Sequence, residues 1–200
     1  DTPKINDGDV VLWMNYRPDR AKQILQVLTD NNFKEYETIK YKNLQVFTIY
    51  PIEEAKKSYH FLDTPDIENS LGVYLAQLGL SQARIAETEK YAHVTYFFDG
   101  GKEYKLDKCD RYLVPSPKVA TYDLKPEMSC KEVTKKCLEC LDKDYDFILV
   151  NFANPDMVGH TGNLDATIEA LEVIDYCLGS IYAKAKENDY TLFIMADHGN

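Results

Sequence analysis

Two segments carry side chains suited to binding a metal ion. Asp156 and His160 lie in Asn154-Pro155-Asp156-Met157-Val158-Gly159-His160, while Asp197 and His198 directly follow an apolar run ending at Ala196. Carboxylate oxygen combined with imidazole nitrogen suits Mn2+ or Zn2+, whereas Mg2+ prefers all-oxygen shells. A lone Asp-x-x-x-His is more often a solvated loop than a ligand set. Two Asp/His sets at the ends of consecutive parallel strands tip the balance toward metal. A pair of ions about 3.5–4 Å apart would clamp the attacking and leaving oxygens of a phosphoryl transfer.

A second set of residues is cationic. In Asn15-Tyr16-Arg17-Pro18-Asp19-Arg20, the two arginines are three apart where a strand gives way to a helix with Pro18 at its start. That spacing puts both guanidiniums on one side, next to the free N–H groups and positive dipole end of the helix, as a fork for phosphate. The competing reading pairs either arginine with Asp19 or Glu35 on the surface. Lys90, in Glu87-Thr88-Glu89-Lys90, could offer a point charge to a phosphate, although a lysine beside two glutamates is usually a solvated helix start. His60 reads as a surface or capping residue. Cys137 and Cys140 form a Cys-x-x-Cys inside a helical pattern with no second pair, so they read as helix-packing thiols and not as a zinc or redox site.

The elements that must position these groups alternate strand and helix. Residues 10–14 read as a strand, 18–31 as an amphipathic helix, and 44–50 as a second strand ended by Pro51. Between 51 and 69, charge, Pro and Asp accumulate, which predicts a hinge and a domain boundary near residue 62. Residues 67–78 read as a helix capped by Gly79, 83–87 as a short strand, and 91–98 as either a strand or a buried helix, with the helix preferred. Ser129 and Glu132 predict a capping box ahead of a helix through Leu141. The last stretch reads as a βαβ unit: strand 146–151, a loop to Gly162, a long helix, and strand 190–196. Near-continuous apolar strands joined by an amphipathic helix imply a parallel sheet, with the ligand crevice outside the carboxyl ends of its strands.

Composition narrows the field. The 200 residues carry 23 Lys plus Arg against 33 Asp plus Glu, a formal net charge of −10, with 44% hydrophobic residues. This is a folding chain without the basic face that a nucleic-acid binder needs. No apolar run approaches the ~20 residues of a membrane-spanning helix, and the first residues have no signal-peptide organisation. Five cysteines, an odd number, fit reduced thiols in the cytoplasm. The chain starts without Met and stops within an Asp/His segment, as expected for a fragment.

Five motifs occur in one order: Asn15-Tyr16-Arg17-Pro18-Asp19-Arg20-Ala21; Ile85-Ala86-Glu87-Thr88-Glu89-Lys90-Tyr91; Ser116-Pro117-Lys118-Val119-Ala120-Thr121-Tyr122-Asp123; Asn154-Pro155-Asp156-Met157-Val158-Gly159-His160-Thr161-Gly162; and Ala196-Asp197-His198-Gly199-Asn200. The series resembles the middle-to-late portion of the cofactor-independent (2,3-bisphosphoglycerate-independent) phosphoglycerate mutases. The resemblance implies an α/β chain in two parts. Residues 1–62 would be the end of a phosphotransferase domain, and 63–200 an incomplete parallel-sheet metal-binding domain of the alkaline phosphatase superfamily.

It further implies interconversion of 3-phosphoglycerate and 2-phosphoglycerate in glycolysis by a cytoplasmic monomer, through a phosphoserine intermediate and two Mn2+ ions, with Mg2+, Co2+ or Zn2+ as substitutes. Asp156 and His160 would bind one metal, and Asp197 and His198 the other. Arg17 and Arg20 would hold the substrate's phosphate or glycerate, and Lys90 the transferring phosphoryl group. None of Ser58, Ser70, Ser81, Ser116, Ser129 and Ser180 sits in the family's nucleophile context, so the 200 residues alone are expected to be inactive. The alternatives are a non-catalytic phosphate- or metal-binding paralogue and another phosphomutase of the same superfamily.

Overall fold

The computed structural model describes residues 4–15, 18–196 and 198–199, with the side chains of 18–20 left out. Arg17 and Asp197, and the side chain of Arg20, therefore lie outside the described residues. The chain divides into two compact units, residues 1–66 and 67–200. Both are α/β with parallel sheets, as the alternation of strand and helix predicts.

The first unit contains β1 (Val10–Trp13), α1 (Pro18–Thr29), β2 (Gln45–Thr48) and β3 (Ser58–His60), in the parallel order β1-β2-β3. Leu25 of α1 packs with Val46 of β2 and with Ala55. Residues 51–69 are thus only partly a connector: β3 lies within them, and Ala55 belongs to the core. A three-residue strand gives too short a pattern to stand out from the surrounding charge.

The second unit runs α2 (Leu71–Gln77), β4 (Gln82–Glu87), α3 (Tyr91–Val94), β5 (Cys109–Val114), α4 (Cys130–Leu141), β6 (Phe147–Asn151), α5 (Asn154–Gly159) and α6 (Leu164–Glu187). Its sheet is parallel in the order β5-β4-β6. Helix α2 ends in a Schellman motif. Gly79, at φ +73°, donates its N–H to Ala76 O, and the Leu80 N–H reaches Leu75 O.

The central strand β4 is buried at all six positions. Its side chains alternate between two faces, as a strand requires. Ala83 and Ile85 join Val133, Cys137, Cys140 and Leu141 of α4 and Ile181 and Ala185 of α6 in the main core. The Cys-x-x-Cys thiols are therefore packing groups, and burial pushes Cys137 up to about 12.

The opposite face of β4 holds Arg84, which is fully buried. Its Nη1 donates to Val94 O at 3.0 Å, its Nη2 donates to Gln82 Oε1 at 2.6 Å, and its guanidinium lies 4.2 Å from the Phe98 ring centre. Gly72 of α2 covers this arrangement. A Cβ there would come within 2.4 Å of Arg84 Nη2 and 2.5 Å of Asp99 Oδ1. Gly72→Ala is therefore expected to destabilise the protein by about 1–3 kcal/mol through overpacking, despite alanine's better helix propensity. The midpoint of urea unfolding measures it.

Several expected elements form differently. Residues 190–196 resemble β6 in composition but make no regular structure, and Phe193, Ile194 and Met195 are 85%, 67% and 88% exposed. A strand exists only through a partner's hydrogen bonds, and among the described residues none pairs with this segment. The expected loop from Asn154 instead opens as α5, with Pro155 in its first turn, where a missing N–H costs nothing. The helix expected at 67–78 begins at Leu71, and that expected at 91–98 stops at Val94. Strand β5 is an element the sequence reading did not assign.

The Ser129 capping box does not form. The Ser129 hydroxyl donates to Pro115 O at 2.7 Å, a long-range partner that no local pattern reveals. Among the described residues, no helix is long and apolar enough to cross a membrane.

Candidate metal and phosphate site

The connections that leave two adjacent parallel strands bring Lys90, Asp156 and His160 together around one carboxylate. β4 ends at Glu87 and passes through a single 3-10 turn, Thr88–Lys90. Its neighbour β6 ends at Asn151, and α5 follows almost at once. Both connections leave the carboxyl ends of their strands, where ligands bind in open parallel sheets.

Helix α5 is fixed from below. Val158 is fully buried with Ala153, Ala166 and Ala170, and the buried Asn154 amide donates to Pro126 O at 2.8 Å. Positions 156 and 160 are one turn apart, so Asp156 and His160 project from the same face. His160 Nε2 stands 3.2 Å from Asp156 Oδ1, and the His160 backbone N–H bonds to Asp156 O at 3.0 Å.

Lys90 reaches the same carboxylate from the β4 side. Its ammonium donates to Asp156 Oδ2 in an ion pair, with the Lys90 and Asp156 side chains only 6% and 16% exposed. His198 Nε2 lies 3.8 Å from Asp156 Oδ1. Burial alone would raise the Asp156 carboxyl, but the Lys90 bond and charge, helped by His160 and His198, hold it below the usual carboxylate range.

Of the seven residues singled out from sequence, the structure thus brings together Lys90, Asp156, His160 and His198. Arg17, Asp197 and the side chain of Arg20 lie outside the described residues. Sequence reasoning gave no place to Tyr122, whose hydroxyl donates to Glu89 Oε1 at 2.6 Å beside the Lys90 turn and is pushed up to about 12 by burial and by Glu89. Its only signal was membership of the 116–123 motif.

One carboxylate and two imidazoles are transition-metal donors. Among the described residues, however, no group of three or more His, Cys, Asp or Glu side chains is arranged to hold an ion. Asp156 is engaged by Lys90, and both imidazoles approach a single carboxylate oxygen.

Residues 14–200 match the family described as the Metalloenzyme superfamily. The chain belongs to this superfamily. This metalloenzyme chain is 50% identical over 198 residues to the 2,3-bisphosphoglycerate-independent phosphoglycerate mutase of Bacteroides thetaiotaomicron, covering 98% of the chain and 39% of the relative. The mutase of the same name from Clostridium kluyveri is 51% identical over 198 residues, with the same coverage. Among solved structures, phosphoglycerate mutase of Leishmania mexicana, determined at low cobalt concentration, superposes with a TM-score of 0.75 at 30% identity, covering 98% of this chain and 36% of that one. The resemblance read from five ordered motifs is borne out by these relatives, of whose length the chain spans about 39%.

Proposed function

We propose that this chain forms part of a 2,3-bisphosphoglycerate-independent phosphoglycerate mutase that interconverts 3-phosphoglycerate and 2-phosphoglycerate. The observation that carries the reading is the convergence of Lys90, Asp156, His160 and His198 at the carboxyl ends of β4 and β6. Its setting is a metalloenzyme whose relatives bear the mutase name.

In this reading Asp156 and His160 hold one divalent ion, and Asp197 and His198 a second, with Mn2+ favoured by the mixed oxygen and nitrogen donors. Bound there, the ions would supply charge to stabilise the oxygens of a transferring phosphoryl group. Lys90 works beside them. Its ammonium is a compact point charge held almost out of water, where an electrostatic contact to a phosphoryl oxygen is worth far more than at the surface. Asp156 keeps Lys90 aimed into the crevice until an anion shares it. Arg17 and Arg20 bind the phosphate or carboxylate of the substrate.

A coupled spectrophotometric assay on the intact protein tests the proposal: conversion of 3-phosphoglycerate that rises on manganese addition and is lost on chelation supports it. Metal binding without conversion favours the non-catalytic paralogue. Lys90→Met should lower kcat by about 10²–10³-fold, the usual cost of removing one preorganised charge from a transition state. Assayed alone, the 200 residues should show no turnover, having no serine in the family's nucleophile context.

A further inference from the structure

The turn that delivers Lys90 is short and depends on its surroundings, because a single 3-10 turn is a marginal structure. Its first two residues, Thr88 and Glu89, and Glu87 just before them are all hydrogen-bonded to Ser116, just beyond β5. Ser116 Oγ donates to Glu87 Oε2 at 2.8 Å and accepts from the Glu89 backbone N–H at 3.3 Å. The Ser116 N–H donates to Thr88 Oγ1 at 3.1 Å. One hydroxyl thus serves as donor and acceptor at once, which neither Ala nor Cys would reproduce with comparable strength.

Ser116 is itself held. The carbonyl of the preceding Pro115 accepts from Ser129 Oγ at 2.7 Å, at the start of α4. Glu87 is fully buried at the end of β4, so the far side of the clamp is rigid as well. The chain of contacts runs from the core through Glu87 and Ser116 to the turn, and ends at the Lys90–Asp156 pair.

We propose that Ser116 is a positioning residue for Lys90, fixing the turn so that the ammonium meets the transferring phosphoryl group in register. The proposal rests on the assignment of Lys90 made above. A displacement of about 1 Å in a catalytic group can cost ~10²-fold in rate. Ser116→Ala should therefore lower kcat by about 10- to 100-fold, with KM little changed and the thermal midpoint lowered, because the buried Glu87 carboxylate loses its hydroxyl donor. Ser116→Thr, which keeps the hydroxyl, should recover most of the loss.

The decisive experiment is a double-mutant cycle in the intact, metal-loaded protein, using Ser116→Ala, Lys90→Met and the pair. If Ser116 acts through Lys90, adding Ser116→Ala to Lys90→Met should cost less than about twofold. Hydrogen exchange of the metal-free protein gives a readout independent of turnover: the Glu89 amide should exchange faster in Ser116→Ala than in wild type. An undiminished Ser116→Ala penalty in the Lys90→Met background would overturn the proposal, as would wild-type kcat in Ser116→Ala alone. Wild-type kcat in Lys90→Met would instead overturn the Lys90 assignment, and the positioning role with it, while the Glu89 exchange rate would still report the clamp.

Discussion

Replacing Asp156 with Ala in the intact protein is expected to lower mutase turnover by more than about 10³-fold, the largest activity loss of any single change in this site. Asp156 is the group on which Lys90, His160 and His198 converge, so one substitution acts on all three. Removing a single preorganised charge costs about 10²–10³-fold, and residues that merely support a metal ligand cost about 10- to 100-fold in metal affinity. In the proposed role Asp156 would both hold an ion and aim Lys90, and its loss should then exceed either cost. Asp156→Asn separates the two contributions, because it keeps the shape and one acceptor oxygen but loses the charge. It should fall between Ala and wild type in turnover and bind manganese more weakly than wild type by calorimetry. An Asp156→Ala protein within tenfold of wild type would remove this crevice from the chemistry.

How much of this was readable beforehand follows from how far apart the interacting residues lie. Helix α6 declares itself by apolar spacing over 24 residues, and β6 by an unbroken apolar run. Lys90 and Asp156 stand 66 positions apart. Each could be placed at the end of a strand from local pattern, but their meeting depends on β4 pairing with β6, which no local pattern states.

The same reason explains residues 190–196, whose composition matches β6 while the backbone finds no ladder among the described residues. It explains Ser129 too, whose local grammar announces a helix cap while its hydroxyl serves the Pro115 carbonyl. Local rules lose where a distant partner offers the better hydrogen bond. Gln82-Ala83-Arg84-Ile85-Ala86-Glu87 is the extreme case. Three strongly polar side chains would ordinarily mark a solvated edge, yet this is the central, wholly buried strand, because each finds at least one distant hydrogen-bond partner: Gly72 O for Gln82, Val94 O for Arg84 and Ser116 Oγ for Glu87.

Asp99→Ala should be the most destabilising of the substitutions considered, by about 3–5 kcal/mol, because it strands a buried guanidinium. Asp99 is itself fully buried between two arginines: Oδ2 accepts from Arg111 Nη2 at 2.8 Å, and Oδ1 lies 3.7 Å from Arg84 Nη2. The second distance is an ion pair without a hydrogen bond. Burial raises the Asp99 carboxyl above its ordinary range and lowers Arg84 below its own, so desolvation outweighs the mutual attraction. The pair is thus weak evidence of net stabilisation, but breaking one side leaves the whole cost of the other. Against a total stability of about 5–15 kcal/mol, that loss brings the fold close to its limit.

The pair Arg84→Met with Asp99→Leu should be about 1–2 kcal/mol less damaging than Asp99→Ala, since methionine can keep the packing on Phe98 without a charge. It cannot be free of cost, because Gln82 Oε1 and Val94 O lose their donors and Arg111 loses the nearer of its two carboxylates, keeping Glu103 at 3.5 Å. Denaturant unfolding of the two variants decides it. A double variant no more stable than Asp99→Ala would show that the hydrogen bonds of Arg84, and not its charge, hold this face of β4 together.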